Sequence, residues 1–120
     1  MPRALQALAM AARLGAELLL RSGYQATAVT RPTEALALIR SAPDSFDLVL
    51  TDLAMPGMSG TDLARRLREI RLDLPVILMT GFTANLTEAN LREYGISEIL
   101  AKPPTARTLA SMVHRVLNKT

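Results

Sequence analysis

Short apolar runs, each separated from the next by a segment with helical spacing, are the feature that most constrains the fold of this chain. FDLVL (46–50) and LPVILMT (74–80) have the composition of fully buried strands, and ISEILA (96–101) is a third candidate strand. The intervening segments, TDLARRLREIR (61–71) and the weaker 84–94, are predicted helices. Strands that alternate with helices pair in parallel, through right-handed crossovers that cover both sheet faces. The sequence therefore predicts an α/β fold built on a parallel sheet.

The rest of the chain continues this alternation, except at the amino terminus. QATAV (25–29) is a predicted strand, and residues 33–42 and 105–117 are predicted helices. The alanine- and leucine-rich segment between Arg3 and Arg21 is also predicted to be a helix. The predicted order is therefore one helix followed by four strand–helix units.

No repeat, low-complexity segment or linker divides the chain, so residues 1–120 are predicted to form a single domain. Residues 1–7 are atypical in that domain, because a parallel sheet normally begins with a strand. MPRALQA has no β-branched residue and is a poor strand by propensity. The first strand is accordingly predicted to be missing or degenerate.

Composition excludes several classes of function. The chain has no cysteine, and so has neither a disulfide framework nor a thiolate metal site. Its net charge is +3, but only Arg65, Arg66, Arg68 and Arg71 cluster, and aromatic residues are 3% of the chain, too few to stack bases. A solvated helix face explains these arginines better than a nucleic-acid surface. Because no signal peptide and no apolar run of the ~20 residues needed for a membrane span is present, we expect a cytoplasmic domain without membrane contact.

Three polar side chains follow three consecutive predicted strands. Asp52, Thr80 and Lys102 each stand where a strand ends, and the carboxyl ends of parallel strands meet at one edge of the sheet. A carboxylate can act as a nucleophile toward phosphorus, while an ammonium and a hydroxyl can bind the phosphate oxygens. Each residue alone is more often a turn, cap or solvated residue. Their joint placement is more specific, and it predicts a phosphate-handling site.

The segments FDLVLTDLAMPGMSGTDLARRLR, LPVILMTGF and GISEILAKPP together resemble the receiver domain of two-component response regulators. The resemblance covers roughly residues 23–118, and is nearest to receivers at the carboxyl end of hybrid sensor histidine kinases. It implies a flavodoxin-like doubly wound sheet with strand order 2-1-3-4-5. It also implies that Asp52 is the phosphoacceptor, Thr80 the switch hydroxyl and Lys102 the lysine that pairs with the phosphoryl group.

The resemblance further implies a metal site and a particular loop geometry. Mg²⁺ would be bound by the carboxylate of Asp52 and the backbone carbonyl of Ala54. Pro56 and Gly57 would shape the loop after the phosphoacceptor, and the peptide bond between Lys102 and Pro103 would be cis.

Two positions depart from the family pattern. Counting back from RLGAELLLRSGY (13–24), the acidic pair that normally helps to bind the metal should fall near Gln6 and Ala7, and neither is acidic. We therefore expect Mg²⁺ binding to be weak or lost, and phosphorylation of Asp52 to be weak or absent. At Ile99 the family often has an aromatic residue that moves on activation, so output by aromatic rotation is doubtful.

The missing first strand would leave a gap in the centre of the sheet, with unpaired backbone groups. We expect residues 1–7 to be forced into the gap, the sheet to close up, or a second copy to fill it, and we favour rearrangement or self-association, for example as a homodimer.

The predicted function is phosphoacceptance from a histidine kinase or phosphotransfer protein. The domain is not expected to be an enzyme, beyond self-catalysed phosphotransfer and dephosphorylation, and no direct nucleic-acid partner is expected. The alternative is a degenerate pseudo-receiver, which would act as a protein-interaction module independently of phosphorylation. A small-ligand-binding or hydrolytic relative would need a glycine-rich phosphate loop after the first strand, and the sequence has none.

Overall fold

The protein is described by a computed structural model that covers residues 5–10, 13–53, 57–81 and 87–118. Strands and helices alternate along these residues. In chain order the elements are β1 Gln6–Met10, α1 Arg13–Arg21, β2 Gln25–Val29, α2 Pro32–Ser41, β3 Leu48–Asp52, α3 Gly60–Ile70, β4 Val76–Thr80, α4 Glu88–Tyr94, β5 Glu98–Ala101 and α5 Ala106–Leu117. None of the helices in these ranges is both long enough and apolar enough to cross a membrane.

The five strands form one parallel sheet in the order β2-β1-β3-β4-β5, which confirms the predicted flavodoxin-like architecture. All residues of β4 and all but the last of β3 are buried, as expected for strands that are covered on both faces. Two hydrophobic clusters occupy the two sides of the sheet. The sheet is therefore covered on both faces, and a ligand would reach it at the ends of its strands.

The prediction of a helix across residues 3–21 is wrong for its first part, because Gln6–Met10 is a strand that lies between β2 and β3 in the sheet. The strand alternates between the two clusters: Ala7 and Ala9 lie on one side, and Leu8 and Met10 lie on the other. All four are fully buried. Parallel pairing with both β1 neighbours satisfies the backbone here, and this tertiary pairing outweighs the helical preference of alanine.

Hydrogen bonds at the start of β1 hold it to its two neighbours. The Gln6 amide donates to Asp47 Oδ2 at 2.8 Å, and the Asp47 amide donates to the Gln6 carbonyl at 2.7 Å. On the other side, the Gln25 amide donates to the Leu5 carbonyl at 2.9 Å. The position between β2 and β3 is thus filled by the chain itself, and the predicted gap, with its rearrangement, is wrong.

The four clustered arginines do not all lie on a solvated helix face. Arg65, Arg66 and Arg68 are exposed, as predicted. The side chain of Arg71 is only 22% exposed and donates from Nη1 to two carbonyls, those of Pro43 at 2.9 Å and Phe46 at 2.6 Å. Arg71 therefore fastens the end of α3 to the segment that leads into β3.

Candidate functional site

The carboxyl ends of β3, β4 and β5 bring Asp52, Thr80 and Lys102 to the same edge of the sheet. Asp52 is paired in register with Met79, and the next residue, Thr80, is paired with Ala101. The pairing continues beyond the strands, because the Lys102 amide donates to the Thr80 carbonyl at 2.9 Å. The three residues are thus placed by a continuous backbone ladder.

Asp52 and Lys102 are in direct contact across this edge. Lys102 Nζ donates to Asp52 Oδ2 at 2.6 Å, although β4 lies between the two strands that carry them. The Asp52 side chain is 18% exposed and the Lys102 side chain 37%, so both reach solvent. Thr80 is buried, at 4% exposure. The site therefore combines an accessible carboxylate, a cation that contacts it, and a hydroxyl-bearing residue at the end of the intervening strand.

Gly60, the first residue of α3, determines how closely this helix approaches β3, the strand that ends at Asp52. Its amide donates to the Leu53 carbonyl at 2.8 Å. A Cβ atom at this position would overlap the backbone carbonyl oxygen of Asp52 and would stand 2.5 Å from Leu78 Cδ1. Ser59 accepts a hydrogen bond from the Asp62 amide and so caps the helix. The start of α3 is therefore packed directly against the backbone of Asp52.

Two backbone features characterise the described parts of the loops around the site. Gly57 has φ +82°, a left-handed conformation that favours glycine. The Lys102–Pro103 peptide bond is cis, as the resemblance implies. Pro56 and Ala54 lie outside the described residues, so the loop role of the first and the carbonyl ligand of the second stay predictions.

A cleft of ≈ 240 Å³ opens beside Asp52 and Lys102. The described residues that line it are Arg13, Leu14, Asp52, Met79, Lys102, Pro103 and Pro104. Sequence reasoning missed Arg13, because it placed this residue inside a long first helix. The signal that could have revealed it is the end of β1, since Arg13 is the first charged residue after that strand.

The positions predicted for the acidic pair, Gln6 and Ala7, do not lie beside Asp52. Gln6 and Ala7 lie at the amino end of β1, which is the opposite edge of the sheet from Asp52. The count back from RLGAELLLRSGY places the end of the first strand near residue 7, whereas β1 ends at Met10. At the correct edge, the two residues between β1 and α1 lie outside the described ranges, but by sequence both are alanine. The chain therefore supplies no carboxylate there either.

The described residues do not fit a family-type Mg²⁺ site. Asp52 is the one carboxylate among the described residues that line the cleft, and it is paired with Lys102. Within the described ranges, no three Asp, Glu, His or Cys side chains group together, and the stretches outside them contain none of these residue types. Mg²⁺ takes oxygen ligands in a near-octahedral arrangement, usually including carboxylates. One ion-paired carboxylate is a poor donor set for it.

Ile99 lies within β5 and is half-buried. It occupies the strand as an ordinary aliphatic side chain.

This chain matches a known family model and is similar in sequence to known proteins, and its fold is similar to that of solved structures. The family model described as the response regulator receiver domain matches residues 9–114. The two-component response regulator ARR14 of Arabidopsis thaliana is 35% identical over 103 residues, which are 86% of this chain and 27% of that protein. This chain also spans 44% of another relative, the sensory transduction protein RegX3 of Mycobacterium tuberculosis, at 38% identity over 102 residues and 85% of this chain. It thus spans less than half the length of these two relatives.

Among solved structures, the chemotaxis protein CheY4 of Vibrio cholerae has a TM-score of 0.85 at 24% identity, covering 96% of this chain and 100% of that one. The receiver domain of sensor histidine kinase PA1611 of Pseudomonas aeruginosa, solved with a magnesium ion in its active-site cleft, has a TM-score of 0.82 at 20% identity, covering 98% and 100%. Both likenesses concern the fold.

Proposed function

The chain belongs to the response regulator receiver domain family, and from this premise we propose that it accepts a phosphoryl group on Asp52. The donor is a phosphohistidine on a histidine kinase or a phosphotransfer protein, either within a longer polypeptide, as in hybrid kinases, or on a separate one. The domain then signals through a change of conformation. Beyond this phosphotransfer and the hydrolysis of the resulting acyl phosphate to Asp52 and inorganic phosphate, it catalyses no reaction of its own.

The observation that carries the proposal is the 2.6 Å contact between Lys102 Nζ and Asp52 Oδ2 at the carboxyl edge of the sheet. An Asp52 oxygen attacks phosphorus while the phosphorus–nitrogen bond of the donor breaks. The electron pair of that bond returns to the imidazole nitrogen, and the imidazole takes up a proton as needed from water. Placement and charge compensation account for most of the catalysis of such a transfer. Lys102 has an anionic partner throughout, because its ammonium passes from the carboxylate to the new phosphoryl oxygens.

Thr80 is the residue that converts the new charge into a change of shape. It ends β4 and is almost fully buried. A phosphoryl group on Asp52 offers its hydroxyl a strong acceptor, and this contact favours one of two conformations at the carboxyl end of β4. Output passes to a fused or bound partner, which distinguishes this role from that of a free-standing enzyme.

The test is exposure of the chain to phosphoramidate, a small phosphodonor, with and without Mg²⁺. Intact mass spectrometry should show the gain of one phosphoryl group, and Asp52→Asn should abolish it. Asp62→Asn is the matched control, because Asp62 is an exposed aspartate in the first turn of α3. A mass gain that survives in Asp52→Asn would refute the assignment of the phosphoacceptor. Its absence from the wild-type chain in every condition would refute the function.

A second candidate is an interaction module that works without phosphorylation. It is favoured by one observation, that a single carboxylate lines the described part of the cleft. This candidate predicts no mass gain, and equal affinity of the wild-type chain and Asp52→Asn for a histidine kinase partner. The phosphoacceptor predicts that phosphorylation of the wild-type chain changes that affinity.

A further inference from the structure

We infer that this cleft binds the phosphoryl group through two cationic side chains, Arg13 and Lys102, in place of a divalent metal ion. The inference rests on the proposed function and names the device by which this chain would carry it out. It assigns to Arg13 a role in compensating charge that sequence reasoning did not foresee. The ligand class is a phosphoryl group or a free phosphate-like oxyanion.

The charges in the cleft are opposite to those that attract a metal ion. Its described lining contains one carboxylate, Asp52, and two cations, Arg13 and Lys102. Since Asp52 already has Lys102 as a partner at 2.6 Å, the remaining charge in the lining is positive. A positive cleft opposes the entry of Mg²⁺ and favours an incoming oxyanion.

The phosphoryl group adds negative charge to the cleft, and a second cation is needed to compensate it. A phosphorylated side chain carries about two negative charges near neutral pH, whereas the carboxylate of Asp52 carries one. Before transfer, the Lys102 ammonium compensates the charge of the Asp52 carboxylate. A second positive group is needed afterwards, and Arg13 lines the same cleft.

Arg13 can change partners at little cost. Its side chain is 94% exposed, and its Nε lies 3.7 Å from Glu17 Oε1 in an exposed pair one helical turn away. Such surface pairs contribute about 0–1 kcal/mol. The planar guanidinium can donate two hydrogen bonds to one phosphoryl group, which a lysine ammonium does less well. Arg13 therefore has a better partner in a phosphoryl group than in Glu17.

The walls of the cleft strengthen these charge interactions. Met79 is 4% exposed, and Leu14, Pro103 and Pro104 add apolar surface beside Lys102. Apolar neighbours lower the local dielectric response, so that Lys102, whose side chain is 37% exposed, acts more strongly on a phosphoryl oxygen than it would in water, whereas the more exposed Arg13 acts through a screened interaction.

The first experiment measures the rate of Asp52 phosphorylation by phosphoramidate, followed by intact mass, in EDTA and in millimolar Mg²⁺. We expect the two rates to agree within about twofold, and Arg13→Gln to lower the rate about tenfold, which corresponds to ~1.4 kcal/mol. Arg13→Lys should recover part of the loss. Arg21→Gln removes the same charge from the far end of the same helix and should leave the rate unchanged. Stimulation by Mg²⁺ beyond tenfold, or an unchanged rate in Arg13→Gln, would overturn the inference.

A second measurement separates this inference from the proposed function, because it needs no phosphotransfer. Inorganic phosphate and Mg²⁺ are titrated separately while amide NMR shifts are recorded. We expect phosphate to give saturable shifts around Lys102 and at the start of α1 that weaken in Arg13→Gln, and Mg²⁺ to give no saturable shift at Asp52 or Leu53. Saturable shifts with Mg²⁺ at Asp52 or Leu53, together with none from phosphate, would refute the two-cation site. Phosphate shifts without any phosphorylation of Asp52 would instead support the two-cation site and refute the phosphoacceptor function.

Discussion

Gly60→Ala should destabilise the protein, because the start of α3 has no room for a methyl group. The new Cβ would overlap the Asp52 carbonyl oxygen and stand 2.5 Å from Leu78 Cδ1. The leucine methyl can rotate away, but the carbonyl belongs to the backbone of a central strand and cannot. Overpacking of this kind costs about 1–3 kcal/mol. The alanine regains about 0.4–1 kcal/mol by restricting the unfolded chain, so we expect a net loss of roughly 1–2 kcal/mol.

Urea unfolding followed by circular dichroism measures this loss. With a slope of about 1–2 kcal/mol per molar urea for a domain of this size, the midpoint should fall by about 1 M and the slope should not change. The control is Gly81→Ala, because a Cβ at Gly81 would meet nothing within 4 Å. Its midpoint should stay level or rise slightly. A Gly60→Ala protein as stable as the wild type would show that α3 does not pack against the acceptor strand as described.

Three further predictions concern groups away from the cleft. Arg71→Ala should lower the free energy of unfolding by about 1–3 kcal/mol, because two carbonyls lose a charged donor, while the exposed Arg66→Ala on the same helix should change it little in parallel urea titrations. Ser59→Ala should cost about 1 kcal/mol through loss of the helix cap, and Ser59→Asp should restore most of it. The hydrogen bond from Arg71 lowers the pKa of Asp73, so this carboxylate stabilises the fold above its unfolded pKa of about 3.9 and ceases to do so as pH falls through its lower folded value. Asp73→Asn should therefore reduce the acid dependence of stability below about pH 4, and an unchanged acid profile would contradict this assignment.

The sequence predicted the elements that carry long apolar runs and missed the one that does not. β3 and β4 follow FDLVL and LPVILMT closely, and the edge that bears Asp52, Thr80 and Lys102 follows from their ends. β1 could not be identified by propensity, because QALAM is built from residues that favour helices. What makes it a strand is the pair of neighbouring strands with open backbone groups, and that is information from the rest of the chain.

The same difficulty hid part of the site. A helix over residues 3–21 would place Arg13 in its interior, with no connection to Asp52. Its position in the cleft depends on where β1 ends and α1 begins. The role of Arg71 was equally inaccessible, because its two acceptors are carbonyls of residues 43 and 46, distant in sequence.

The reciprocal hydrogen bonds between Gln6 and Asp47 have a consequence for how insertions would act. A strand of alternating alanine and larger apolar residues that slid by two positions would still present each side chain to its own side of the sheet. The bonds at its first residue single out one alignment. Adding two residues within β1 would thus keep each side chain on its own side of the sheet and yet bring a different side chain to the cleft beside Asp52. The length of β1 therefore determines which side chain lies beside Asp52.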